Sequence, residues 1–173
     1  MPRDLSTLAP PPLNGRTCTE CGAQIPPGFG SCDELFMFIL TPLSQRGQDS
    51  PEAFRLARLF VDTFGMQHPA RSGKSPKSYA AHLTGLACGV EYNCSRWLYA
   101  DLQKWLNRPA AQSGLRRPVD LPSRGTLTVR FIYDAPDQAE ADRRIPVWAR
   151  DVWEAYAPQH ELSRSWIRAA SKR

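Results

Sequence analysis

The pentapeptide Cys18-Thr19-Glu20-Cys21-Gly22 constrains this chain more than any other stretch, because two cysteines two residues apart present half of a tetrahedral metal site. The glycine that follows takes up positive φ without strain, which lets backbone N–H groups turn toward the sulfurs. Zinc is the ion this pattern favours, since it accepts a tetrahedron of sulfur and nitrogen ligands. In small peptides a structural zinc supplies on the order of 10 kcal/mol or more of apparent binding free energy. That is ample to order a segment as rich in proline and glycine as residues 16–31.

A complete site needs two more ligands. Cys32 follows Ser31, a good helix N-cap, so it sits where the helix dipole favours a thiolate and is the expected third ligand. The fourth must come from His68, His82, His160, Cys88 or Cys94. His68 is the choice here: it lies in an irregular turn between helices, where a ligand is aimed freely, with Pro69 fixing the chain beside it. The competing explanation makes Cys18 and Cys21 free surface thiols and Cys32 a small buried hydrophobe. A thioredoxin-type redox pair fits less well, because nothing before Cys18 reads as a strand.

The five cysteines are an odd number, which disfavours a disulfide framework and favours metal binding or burial in a reducing compartment. The longest apolar run, Leu35 to Leu40, falls well below the ~20 residues needed to cross a bilayer. Residues 1–14 hold the Pro10-Pro11-Pro12 run where a secretory leader would need a continuous apolar segment, so a cytoplasmic location is expected. The net charge of +5 is mild and its arginines are scattered, with clusters at Arg116-Arg117, Arg143-Arg144 and Arg164 to Arg173. Such runs are usually solvated faces, so nucleic acid is an allowed partner that nothing specifically indicates. A protein partner is equally allowed, no membrane is expected, and oligomeric state is not encoded in any feature read here.

Residues 1–16 read as a flexible Pro-rich tail, and 17–171 as a single helical domain. Ser31 and Glu34 form a capping pair for a first helix through Phe36, Ile39 and Leu40, which Pro42 should end. Ser50-Pro51 starts a second helix carrying Phe54, Ala57, Val61 and Phe64, which stops near Gly65. Ser75-Pro76 starts a third with Tyr79, His82, Leu83, Leu86, Ala87 and Val90 on one face; a fourth carries Leu98, Leu102 and Trp105. Residues 107–125, with three prolines and two glycines, read as a mobile surface loop, and Leu127 to Tyr133 alternates like a short strand or an extended stretch. Beyond Pro136 the stripe Ile145, Trp148, Ala149, Val152, Trp153, Tyr156 is helical, with Pro146 as a kink or late start, and a last helix follows Pro158. The fold class is therefore all-α: a bundle of five or six helices with an N-terminal zinc-knuckle-like loop.

Taken in order, Cys18-x-x-Cys21-Gly22, Cys32-Asp33-Glu34-Leu35-Phe36, Gln67-His68-Pro69, His82-Leu83 and the late Trp148, Trp153 and His160 resemble a family of uncharacterised bacterial proteins. A Cys-x-x-Cys-Gly start, a Cys-x-x-x-Phe helix and a Gln-His-Pro turn recur there in this order. The resemblance runs from Cys18 to Trp166 and implies a shared fold and a shared metal or polar site, without implying an activity. Residues 116–130 fall outside it.

Asp62, Gln67, His68, His82 and His160 adjoin the apolar stripes as a second constellation. Were His68, His82 and His160 to converge, they would form a catalytic metal site with an open position for water, and Asp62 or Gln67 would orient substrate. That arrangement is loosely similar to bundle metalloenzymes of the DinB type, although those carry ligands one helical turn apart and no His-x-x-x-His occurs here. Two readings therefore compete with a structurally zinc-bound helical protein acting through a partner or ligand: a metal-dependent hydrolase or transferase, and a nucleic-acid or regulatory module.

Overall fold

A computed structural model describes residues 16–93, 95–117 and 123–171. The expected N-terminal tail and Cys94 lie outside these residues, apart from Arg16. Among the described residues the regular structure is helical, with one isolated antiparallel bridge between Thr17 and Gln24.

Six helices of eleven residues or more build the bundle: α1 (Cys32–Asp49), α2 (Pro51–Gln67), α4 (Pro76–Glu91), α5 (Arg96–Leu106), α8 (Gln138–Ala155) and α9 (His160–Ser171). Three single-turn helices connect them: α3 (Pro69–Ser72), α6 (Pro109–Gln112) and α7 (Val129–Tyr133). Serine caps set the starts. The side chains of Ser31, Ser50, Ser75 and Ser95 each accept a hydrogen bond from the backbone N–H three residues on. Ser50 also ends α1, so one residue closes one helix and opens the next. Pro51 and Pro76 follow their caps where the missing N–H costs nothing.

Helix α2 is the central element, packed against α1, α4 and α8. Its buried set is accordingly wider than one stripe: Ala53, Leu56, Phe60 and Met66 join the expected Ala57 and Phe64, while Phe54 and Val61 lie at its edge. Phe60 stacks on Phe36 and meets Trp148 edge-on, tying α1, α2 and α8 together. The α8 stripe from Ile145 to Tyr156 is buried as its spacing predicts.

Two local expectations are corrected: the end of α1 at Pro42 and the strand over Leu127–Tyr133. Pro42 does not end α1, which runs on to Asp49; Pro146, expected as a kink or a late start, lies inside α8. Both prolines are exposed, so the carbonyls left without an N–H partner face water, not the core. The Leu127–Tyr133 alternation is no strand: Thr128 caps one helical turn, which places Val129 and Ile132 inward. The end of the expected mobile loop is held in place. Asp151 on α8 accepts from the N–H groups of Thr126 and Leu127 at 2.7 and 2.9 Å and from the Thr126 hydroxyl at 2.9 Å. Gly125 is required there, with φ at +95° and an added Cβ only 2.4 Å from the Asp151 carboxylate. No helix among the described residues is long and apolar enough to cross a membrane.

Candidate metal centre

The N-terminal turn is built by its own backbone. Gly22 N–H donates to the Cys18 carbonyl at 2.9 Å and Cys18 N–H to Ala23 at 2.9 Å, which closes a tight loop with Gly22 at φ +76°. This loop directs Cys18 and Cys21 toward the start of α1, where Cys32 is buried, and toward the break after α2, where His68 is buried. The break has a simple cause: Pro69 pushes its predecessor out of αR geometry, so His68 takes φ −124°, ψ 55°.

One donor atom from each of Cys18, Cys21, Cys32 and His68 lies within 4.8 Å of every other, so the group could hold a metal ion. The Cys21 and Cys32 sulfurs are 3.7 Å apart, and His68 Nε2 is 3.6 Å from the Cys18 sulfur. His68 Nδ1 donates to the Phe64 carbonyl at 2.8 Å, which fixes the tautomer and leaves the Nε2 lone pair facing the sulfurs. Its ring also stacks on Phe64, with centroids 3.8 Å apart. The hydrogen bond from Cys32 pulls the Cys21 thiol down to about 4 against the opposing effect of burial, with His68 and a backbone contact from Ala23 adding to it. Cys32 moves the opposite way, far above the ordinary thiol range, because it gives the proton in that bond and is buried beside two other sulfurs. Without a metal the pair therefore shares one proton, and an ion taking all three sulfurs must displace it.

Charged side chains that local spacing could not reveal surround the cluster. Arg71 on α3 places Nη2 3.6 Å from the Cys18 sulfur, donates through Nε to Glu20 at 2.7 Å, and pairs with Asp33. Glu20, between the two knuckle cysteines, also accepts from Ala70 N–H at 3.0 Å, and its carbonyl accepts from Arg124 at 3.1 Å. The knuckle, α3 and the 123–128 segment are thereby locked to one another.

The alternative three-histidine site does not form among the described residues. Among the described residues the Cys18, Cys21, Cys32, His68 group is the one set of three or more such donors close enough to share an ion, and it excludes His82 and His160. His160 stacks on Trp153 at 3.8 Å between centroids and donates to the Trp153 carbonyl at 2.8 Å, which makes it a brace for the α8–α9 corner. His82 donates through Nδ1 to the fully buried Asp62 at 3.0 Å. Gln67 is a connector: its amide donates to the carbonyls of Arg124 and Leu127 and its oxygen accepts from Trp148 Nε1 at 3.1 Å. Of the four weak catalytic candidates, only Asp62 and His82 come together.

The order of these elements matches a known sequence pattern. Residues 16–157 fit the sequence model of DUF5946, a family of unknown function. The chain belongs to that family. No curated protein and no solved structure matches it. The match to DUF5946 begins two residues before Cys18 and ends after α8, so it takes in all four donors and the helices that position them.

Proposed function

We propose that Cys18, Cys21, Cys32 and His68 hold one zinc ion in a closed, four-coordinate structural site, and that this clasp organises a cytoplasmic helical protein acting through a partner or ligand on its bundle. The observation that carries the reading is the donor spacing. A tetrahedron with Zn–S bonds of about 2.3 Å and a Zn–N bond of about 2.05 Å has S···S edges of about 3.8 Å and S···N edges of about 3.6 Å. The 3.7 Å Cys21–Cys32 edge and the 3.6 Å Cys18–His68 edge agree with these values, and the other donor pairs lie within 4.8 Å. Three thiolates and one neutral imidazole suit zinc among the common metals, and with all four positions taken by protein there is no vacancy for water or substrate. The net charge of such a centre is −1, which the Arg71 guanidinium beside Cys18 offsets.

Metal analysis of the untagged protein tests this. One zinc per chain is expected, falling to near zero in Cys32→Ser and in His68→Ala. Full metal content in both variants, or none in the wild type, would overturn the assignment. Arg71→Ala should keep the stoichiometry but weaken zinc binding roughly 10- to 100-fold in a competitive chelator titration, as loss of an outer-shell partner does elsewhere.

The basic clusters give little support to a nucleic-acid surface. Arg143 and Arg144 both pair with Glu140, Arg164 with Glu91 and Arg168 with Glu161, so four arginines of these clusters are matched by three carboxylates within the fold.

A further inference from the structure

Arg58 on α2 reaches both oxygens of Asp62 through Nη2, each at 3.3 Å. Its Nε, like that of Arg46, is closed off without a hydrogen-bond partner among the described residues, whereas the side chain as a whole is 31% exposed, so its Nη groups are the donors that can meet an outside acceptor. Arg58 lines a cleft of about 500 Å³ between α1, α2 and the start of α5. Its walls are Ser44, Gly47 and Gln48 on one side and Arg96 on the other, over a floor of Phe54, Ala57 and Val61. Two arginines face this space and no carboxylate lines it.

Each arginine is set in place from behind. The Arg58 guanidinium lies over the Tyr99 ring at 5.3 Å, and that of Arg96 over Phe54 at 4.4 Å. Arg96 spends one donor, Nη2, on the Gly47 carbonyl at 3.1 Å. Asp62 meets Arg58 through Nη2 and also accepts from His82, and among the described residues Arg96 has no carboxylate partner. The Asp62–His82 support is itself a built feature. A Cβ at Gly85 would come within 2.1 Å of Asp62 Oδ2, and one at Gly65 within 2.7 Å of the His82 ring, so both glycines are needed for the pair to fit between α2 and α4.

From this geometry we propose that the α1/α2/α5 cleft binds a small oxyanion, a carboxylate or phosphate carried on an apolar body, with Arg58 and Arg96 gripping the charged group and Phe54, Ala57 and Val61 covering the body. Asp62 and His82 are positioning residues that hold Arg58. Phe54 and Arg96 also line a neighbouring cavity of about 650 Å³, bounded by the exposed Trp97 and by Glu52, which is paired with Arg55, and this leaves room for a body larger than one ring. This site supplies the ligand part of the function proposed above yet does not depend on the zinc clasp. Gly47 lies fifteen residues beyond Cys32 on the same helix, about 22 Å along its axis.

The test is an NMR titration of the ¹⁵N-labelled, zinc-loaded protein at fixed ionic strength with phenyl phosphate, benzoate and inorganic phosphate. Phenyl phosphate or benzoate is expected to shift the Phe54, Val61 and Arg96 amides with a dissociation constant near or below 1 mM, a modest demand for two charge-assisted hydrogen bonds. Inorganic phosphate should bind at least about tenfold more weakly, since burying roughly 60 Å² of ring is worth that factor. Arg58→Gln and Arg96→Gln should each weaken binding tenfold or more, and Gln48→Glu, which adds a carboxylate on an exposed wall, should do the same with zinc content unchanged. No shift at these amides up to roughly 10 mM, ten times the expected constant, would overturn the proposal. Affinity unchanged in Arg96→Gln and Gln48→Glu would also overturn it, and these exposed sites leave the fold intact even if Arg58→Gln does not. Equal affinity for phosphate and phenyl phosphate would remove the apolar-body assignment. Zinc stoichiometry measured on the same samples separates failure of this site from failure of the clasp.

Discussion

Stripping the zinc, or replacing Cys32 with serine, is expected to lower the melting temperature by roughly 10 °C and to loosen residues 16–31 and 69–73 before the rest. The size follows from linkage: an ion that binds only the folded chain, present at a thousand times its dissociation constant, adds about 4 kcal/mol to stability. For a domain of this length each kcal/mol moves the midpoint by about 2–4 °C. Complete unfolding is not expected, because the core around Phe60, Leu83, Trp148 and Val152 draws nothing from the clasp. The loss should be local because the knuckle buries little of its own: Ala23 and Ile25 pack inward, and its other ties are polar contacts near the surface, of Glu20 with Ala70, Arg71 and Arg124 and of Arg130 with the Gln24 carbonyl. Calorimetry with and without chelator measures the shift, and hydrogen exchange locates it. An unchanged midpoint in both the chelated protein and Cys32→Ser would rule out a structural role for the metal.

How far the sequence disclosed this arrangement depends on the reach of each signal. Helix starts were legible because Ser50-Pro51 and Ser75-Pro76 act on the chain within four residues, and the α8 stripe because a 3.6-residue period is local too. The Cys18, Cys21, Cys32 and His68 cluster was legible for a chemical reason: cysteine pairs and a histidine held out of a helix by proline have few other uses. What stayed hidden is long-range or context-bound. Nothing near Arg71 in the chain marks it as the partner of Cys18 and Glu20, about fifty residues away. Leu127, Val129, Phe131 and Tyr133 carry a strand's alternation, but the Thr128 cap and the packing of Val129 and Ile132 override it. Three histidines beside apolar stripes suggested convergence, yet each is turned by a different neighbour: Phe64 for His68, Asp62 for His82 and Trp153 for His160.

Gln67→Leu should cost about 3–5 kcal/mol while leaving the zinc in place. The side chain is buried and makes three hydrogen bonds that no neighbour can replace: two to the carbonyls of Arg124 and Leu127 at 3.0 and 2.7 Å, and one from the Trp148 indole. Leucine fills nearly the same volume, so packing is retained and the penalty is that of unpaired polar groups, about 1–3 kcal/mol each when water cannot reach them. The Trp148 N–H is fully enclosed and bears the whole penalty; the two carbonyls belong to half-buried residues and recover part of theirs from solvent. Urea denaturation with metal content measured in parallel distinguishes the roles open to this residue. A connector loses stability and keeps its zinc, because His68, one residue on, is oriented by Phe64 and not by Gln67. Loss of zinc with unchanged stability would instead place Gln67 in the metal centre. The same substitution should raise exchange in residues 123–128, since it removes their two bonds to α2 and leaves the Asp151 contacts with α8 and the Arg124 bond to Glu20.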